Sequence, residues 1–400
     1  MASNSKWSGG INNRANFREM PDGFVRDLVN LDPLVGGVLG LRSGFTQVSA
    51  ATQGRGALAI GSKILFADGE SLICFDTQTN ASHTLADIAG AGRFVGVVHN
   101  SELFFCTANQ SFRFDGSVLR PWGVPTVFSQ PVPTITGGGL SVGTYQAAVT
   151  IVNAQGEEGG TTSPIQITVQ DGQGLAFAPP GLAPGEKYRL YVSPNAAETL
   201  YLQYEGTEAY TVTTLRDDTA RLDNLNLIAP QGGDQIATFN GLILLADGDI
   251  LWHTLPFRPH LLDRSNSFFQ YSAPITVVVP VQTGVFVCAD KTYFLTAAGT
   301  DQLSQTKCAD YGAVAGTAAV LPDGRAMWMT PYGLAIGAID GSVTLVSAAN
   351  FVPQLAQEGA SGVIDHNGNQ MVITTMAGPR GPNPLAASDY YEAEIITPCP

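Results

Sequence analysis

Gly139-Leu140-Ser141-Val142-Gly143 spells G-x-S-x-G, the frame that presents a serine nucleophile on a strained strand-to-helix turn. That chemistry needs a helix directly after the serine, then an acid and a histidine. Here the five residues close a proline- and glycine-rich stretch and enter the alternating pattern Thr144-Tyr145-Gln146-Ala147, so they read as a linker. Gly90-Ala91-Gly92-Arg93-Phe94-Val95-Gly96 has the glycines of a dinucleotide loop with one residue too many, and a strand-like run follows it. A turn between two β-elements is the better reading, and no cofactor is assigned. The five histidines, His83, His99, His253, His260 and His366, show neither H-E-x-x-H nor i, i+4 spacing. Asp-Gly pairs at Asp68, Asp115, Asp247, Asp323 and Asp340 lack the D-x-[DN]-x-[DN]-G frame of a calcium loop and are read as hairpin turns. The five cysteines (Cys74, Cys106, Cys288, Cys308, Cys399) are scattered without C-x-x-C, which suits free thiols in a chain assembled in a reducing cytoplasm. No catalytic, cofactor-binding or metal-binding residue is assigned.

The elements that carry these residues repeat. GSKILFADGESLICFD from Gly61, NSELFFCTANQSFRFDG from Asn100, NGLILLADGDILWHT from Asn240, QTGVFVCADKTYFLTA from Gln282, DGRAMWMTPYGLAIGAIDG from Asp323 and NGNQMVITTMAG from Asn367 share one plan. Each has a turn, an alternating apolar strand, a short turn and a second strand. The starts fall roughly 40 residues apart, the period of a propeller blade, apart from one gap with about 100 extra residues. Asp68-Gly69 and Asp247-Gly248 supply the positive φ that tight hairpins need.

Those extra residues follow PWGVPTVFSQPVPTITGGG and contain GTYQAAVTIVNAQGEEGGTTSPIQITV, KYRLYVSPNAAETLYLQYEG and AYTVTTL. Short strands at such intervals describe a β-sandwich of the fibronectin type III or immunoglobulin kind, without the Cys–Trp–Cys hallmark of a true immunoglobulin domain. Helix is nearly absent, the best short candidates lying at Gly23–Asn30, Pro259–Arg264 and Phe351–Glu358. The expected fold is an all-β β-propeller of six blades, with seven as the upper count, carrying an inserted sandwich. Residues 1–45 form an extended N-terminal segment, 46–128 and 231–380 the two propeller parts, 129–230 the sandwich and 381–400 a C-terminal closing segment. Gly44–Ser49 and Tyr390–Ile396 are candidates for a closing strand pair, since closure protects sheet edges.

Charged residues make up 14% of the 400, well under the roughly 25% of ordinary soluble domains. So thinly charged a surface points either to cover by neighbouring subunits or to a polar, uncharged exterior. With 20 basic against 34 acidic residues the net charge is −14, which argues against a phosphate-backbone surface, and no nucleic-acid binding is expected. The first residues lack the apolar region of a secretory signal, and no run of 18 apolar residues occurs.

The opening stretch carries a resemblance. Gly9 to Asn12 (Gly-Gly-Ile-Asn), Pro21 to Gly23 (Pro-Asp-Gly), Arg26 to Asn30, and Gly37 to Gly44 (Gly-x-Leu-x-x-Arg-x-Gly) resemble the N-terminal signature of bacteriophage tail propeller proteins, including tail nozzle proteins of short-tailed phages. LPFRPHLLDRSNSFFQYSAPITVVVPVQTGVFVCADKTYFLTAAGTD from Leu255, DYGAVAGTAA from Asp310 and MWMTPYGLAIG from Met327 are similar to uncharacterised phage tail proteins. GTYQAAVTIVNAQGEE from Gly143 resembles fibronectin-like inserts of virion proteins. The resemblance implies a non-enzymatic structural component of a tail nozzle, hub, tip or baseplate, located in the virion and synthesised in the bacterial host cytoplasm. Its implied partners are other tail proteins and further copies of itself in a symmetric ring. Tyr390 and Tyr391 are adjacent, so on a closing strand one points outward as a candidate partner contact. The rival reading is a receptor-binding or carbohydrate-binding adhesin at the tail tip that recognises the host surface. A propeller glycosidase ranks last, because no pair of catalytic carboxylates can be chosen.

Overall fold

In the computed structural model all residues are described except 1–5, 17–18, 34–36, 43, 45, 49–50, 89–92, 298–303, 367–368 and 388–400. The described residues contain no α-helix. The chain divides into two compact units, one of residues 52–270, the other of residues 1–51 with 271–400.

The unit of residues 52–270 holds three four-stranded antiparallel sheets and the sandwich. The first sheet runs Gly54–Ile60, Lys63–Asp68, Ser71–Asp76, Ala81–Asp87, with strands adjacent in chain order. The second runs Val95–His99, Glu102–Cys106, Ser111–Phe114, Leu119–Pro121 in the same manner. The third runs Gln235–Phe239, Leu242–Asp247, Ile250–His253, Phe268–Gln270. These are propeller blades, and side-chain alternation stacks them. Leu103 and Phe105 point one way, into a core with Leu65, Leu72 and Phe94. Phe104 and Cys106 point the other way, onto Trp122, Ile243 and Leu245. With both faces covered, the second strand of a blade becomes a continuous apolar run such as Leu242-Ile243-Leu244-Leu245. Each fully buried Phe or Leu in such a stack contributes about 1.5–3 kcal/mol.

The sandwich puts Thr134–Leu140, Gln173–Phe177 and Tyr210–Val212 in one sheet. Ile165–Val169, Gly143–Val152, Lys187–Val192 and Tyr201–Gly206 make the other. Tyr145, Ala147 and Val149 alternate inward against Leu175, Phe177, Tyr188 and Leu190, so the core lies between the sheets. Lettered A to G in chain order, the sheets are A-D-G and C-B-E-F. An immunoglobulin constant-type sandwich has ABED and CFG. The insert is a two-sheet β-sandwich, and its strand order is its own.

The other unit holds two more blades. One runs Val277–Val281, Gly284–Cys288, Thr292–Thr296, Ser304–Ala309, and the other Ala319–Val320, Ala326–Thr330, Gly333–Gly337, Val343–Leu345. Phe286 and Trp328 meet at 5.2 Å between ring centroids in their shared core. The described residues thus contain five four-stranded blades, and the chain is an all-β protein of the β-propeller class. The sixth repeat segment behaves differently. Leu355–His366 pairs with Asn369–Gly381 in a sheet of two strands, and Asn367 and Gly368 between them lie outside the described residues.

The three short helix candidates are strands or turns instead. Phe24–Val25 pairs in parallel with Gly10–Ile11, Leu262–Asp263 pairs with Leu227–Ile228, and Leu355 opens the long hairpin. Partners elsewhere in the chain outweighed weak local helix preference. Gly44, Thr46, Gln47 and Val48 lie in no strand. Tyr390–Ile396, including Tyr390 and Tyr391, falls outside the described residues.

Candidate functional site

Each motif with chemical potential has a placement. Ser141 and Val142 form the turn between Thr134–Leu140 and Gly143–Val152, so a strand follows where a nucleophile elbow needs a helix. The Tyr145 hydroxyl donates to the Ser141 carbonyl at 2.7 Å, which ties the turn down. Gly96 lies inside Val95–His99, where an added Cβ would sit 2.5 Å from Leu58 Cδ1 and 2.7 Å from Phe105 Cβ. Gly96 is a close approach between blades, and Gly90, Ala91 and Gly92 of the same motif lie outside the described residues. The Asp-Gly pairs behave as hairpin turns, with φ of 59° at Gly69 and 58° at Gly248.

His99 packs edge-on to Phe104, and His253 stacks with Phe269 at 5.8 Å. Burial pushes both imidazoles below the ordinary histidine value. Cys74, Cys106 and Cys288 are buried free thiols, and Cys308 is half-buried. Burial raises Cys106 and Cys288 to about 12, so both stay protonated at neutral pH. No group of three His, Cys, Asp or Glu among the described residues could hold a metal ion.

What the structure does assemble is an interlock in the unit of residues 1–51 and 271–400. Trp7 N donates to Gly37 O at 2.6 Å, and at Gly37, with φ of 78°, an added Cβ would sit 2.9 Å from Ser8 N. Asn12 is buried, and its Oδ1 accepts from Arg14 N at 3.1 Å and Ala15 N at 2.9 Å, turning the chain. Asn13 then acts as a surrogate peptide. Its Nδ2 donates to Val352 O at 2.7 Å, and its Oδ1 accepts from Val352 N at 3.0 Å. Arg26 donates to Ala15 O at 3.0 Å and to Ala387 O at 2.8 Å. From the other side Asn383, also buried, donates to Pro331 O at 2.6 Å and Pro353 O at 2.9 Å.

Together these bonds pin residues 12–26 against residues 348–387, more than 300 positions away in sequence. A cleft of about 830 Å³ opens beside them, lined in part by Ile11, Arg26, Phe351, Leu355, Met376 and Pro382. Asn12 and Arg26 stand in the N-terminal signature, which by itself assigned them no role. Asn383 carried no signal, because its two acceptors are backbone carbonyls far from it in sequence.

A second constellation roots the sandwich in the unit of residues 52–270. Arg113, on the third strand of its blade, is buried and forks onto Glu157, from the connection between Gly143–Val152 and Ile165–Val169 of the sandwich. Glu102 lies 3.6 Å from the same guanidinium and also pairs with Arg120. Burial pushes Glu157 upward, yet the Arg113 fork and the Asn153 amide outweigh it and hold the carboxyl below its usual range. His260 Nδ1 stands 3.9 Å from Glu157, and burial lowers that imidazole despite the carboxylate. Arg258 bonds Asn224 at 2.9 Å and Asp223 at 2.5 Å, and Trp122 Nε1 donates to Pro259 O at 2.7 Å. The loop between these anchors holds Phe257, 96% exposed with φ of 60°. Arg258 N returns to Leu255 O at 3.2 Å, so Pro256-Phe257 are the middle of a turn whose third position favours Gly or Asn.

No protein-family model matches the chain, and no curated protein matches it. Among solved structures it is similar to AztD from Citrobacter koseri, at 10% identity over 73% of this chain and 71% of that one, TM-score 0.29. It is similar to a virginiamycin B lyase from Staphylococcus aureus in complex with quinupristin, at 8% identity over 83% and 94%, TM-score 0.32. It is also similar to the N-terminal domain of Nup159, at 11% identity over 86% and 76%, TM-score 0.32. Likenesses this distant say nothing of what the chain binds or catalyses, and the fold assignment rests on the five blades themselves.

Proposed function

We propose that the chain is a structural component of a bacteriophage tail, in the nozzle, hub, tip or baseplate, assembling with other virion proteins and with copies of itself. The observation that carries this reading is the interlock. Arg26 of the N-terminal resemblance, and Asn13 directly after its Gly-Gly-Ile-Asn run, clamp residues 12–26 onto residues 348–387. A sequence signature spent on joining distant parts of a chain suits a protein whose work is rigid shape. The thin surface charge and the ion-paired root of the sandwich support the same reading. In this reading the protein has no catalytic residues, and its fourteen excess acidic groups keep it from binding nucleic acid directly.

The test is electron cryomicroscopy of the intact particle that contains this chain. Density forming a symmetric ring around the tail channel is the expected result. Density projecting from the tip toward the cell, or isolated protein adhering to bacterial surface glycans, would replace the structural reading with host recognition.

A further inference from the structure

Three stretches of chain meet at His260, where the sandwich joins the blades of its own unit. Trp122 and Gly123 lead in: Trp122 Nε1 donates to Pro259 O, and an added Cβ at Gly123 would sit 2.5 Å from Ala229 Cβ and 3.1 Å from His260 O. Leu227–Ile228 leads out and pairs with Leu262–Asp263, directly after the histidine. The histidine's own loop is tied across by Arg258 to Asn224.

The imidazole is buried, and its Nδ1 has no hydrogen-bond partner among the described residues. The Glu157 carboxylate beside it, at 3.9 Å, is already taken. Arg113 forks onto both of its oxygens, and Asn153 Nδ2 donates to it at 2.7 Å. Around the ring stand Arg113 from the blade, with Glu102 and Arg120 behind it, Glu157 and Glu158 from the sandwich, Asp223 from its exit, and Arg258 from the same loop. Glu102 is held by Arg120, Glu158 by Arg189, Tyr191 and Thr150, and Asp223 by Arg258. All four carboxylates are thus paired before His260 carries any charge.

We propose that His260 is an acid-operated latch: on protonation its imidazolium competes with Arg113 for the one carboxylate of Glu157, the fork opens, and the sandwich is released from its blade while both stay folded. Whichever cation loses is buried and stranded, which is costly. Opening the joint relieves that cost, because the ring then takes its proton in water. Burial first, with Arg113 and Arg258 adding to it, holds the folded imidazole below its ordinary value of 6.5 against the pull of Glu157. The joint is therefore whole above pH 6.5 and weakens as pH falls from there toward the depressed value. The latch depends on the joint alone and on no assignment of the chain to a tail.

The experiment is hydrogen exchange of the full chain at about pH 7.5 and about pH 5.5, corrected for intrinsic rates; at both, Glu157 stays ionised. The probes are Val127 N and Asn226 N, which donate to Gly160 O and Thr161 O on the connection that bears Glu157. An open joint that protonates at the ordinary value gains at most about tenfold over this range, so wild type should lose roughly three- to tenfold protection there. His99→Gln, which removes a half-buried histidine on a blade of the same unit, should lose as much, and His260→Gln less than about twofold. Joint exchange at pH 5.5 should outpace that of Lys63–Asp68 and change little in dilute urea, as a local opening does. Unchanged protection in wild type, or an equal loss in His260→Gln, overturns the latch. So does joint exchange that matches Lys63–Asp68 and rises steeply with urea, which is unfolding of the whole unit. Magnetic resonance of the wild-type imidazole needs no variant: titration of His260 at or above 6.5 would also overturn it.

Discussion

Replacing Arg113 should loosen the root of the sandwich more than replacing either carboxylate that faces it. The Arg113 side chain is 4% exposed, and it forks onto Glu157, whose side chain is 24% exposed. Breaking a buried pair costs about 3–5 kcal/mol, because the remaining charge is stranded. Partial solvation of Glu157 and its Asn153 bond put Arg113→Met near the lower end, about 3 kcal/mol. Glu157→Gln should cost less, roughly 1–2 kcal/mol, since Glu102 remains 3.6 Å from the guanidinium. The double variant strands neither partner of the pair, so the two losses should fall short of additivity by about 1.5 kcal/mol. Calorimetry of the four proteins measures the cycle, and hydrogen exchange locates it. Protection should drop first where the entry and exit of the sandwich are stitched together, at Val127 N to Gly160 O and Asn226 N to Thr161 O. Losses that add within about 0.5 kcal/mol, or Arg113→Met costing less than Glu157→Gln, would refute the argument.

Three further outcomes follow from single features. Gly160→Ala would place a Cβ 1.8 Å from Leu227 O and 2.4 Å from its carbonyl carbon, so a loss above about 3 kcal/mol is expected in denaturant unfolding. Phe257→Asn should stabilise by about 0.5 kcal/mol, because an exposed ring is lost while the positive φ becomes comfortable; a clear drop in melting temperature would mean the ring is covered. Stability should fall as pH drops below about 6.5, because burial holds His99, His253 and His260 neutral in the folded chain while the unfolded chain takes up the protons. It should fall again below about 4.5, where the depressed Glu157 carboxyl loses its advantage over the unfolded chain. Melting temperature against pH checks both, and His260→Gln should flatten the first decline.

The sequence by itself determined the local β-structure. Period-two alternation and Asp-Gly or Asn-Gly pairs depend on neighbours a few residues apart, so Lys63–Asp68 with Ser71–Asp76 and Leu242–Asp247 with Ile250–His253 were readable as hairpins. The period of about 40 residues made the propeller class legible in the same way. Only the tertiary structure decided which hairpins become blades. The segment from Asn367 has the same pattern as the other five, yet among the described residues its strand belongs to a two-stranded sheet and not to a four-stranded blade, and the pattern of a strand cannot encode what lies beside it. The strand order of the sandwich was hidden for the same reason, since it is set by which edges meet after the sheets pack. The constellations that matter most were the least visible. Asn13 finds Val352 across 339 positions, and Arg113 finds Glu157 across 44, in partnerships that exist only once separate elements have been brought together.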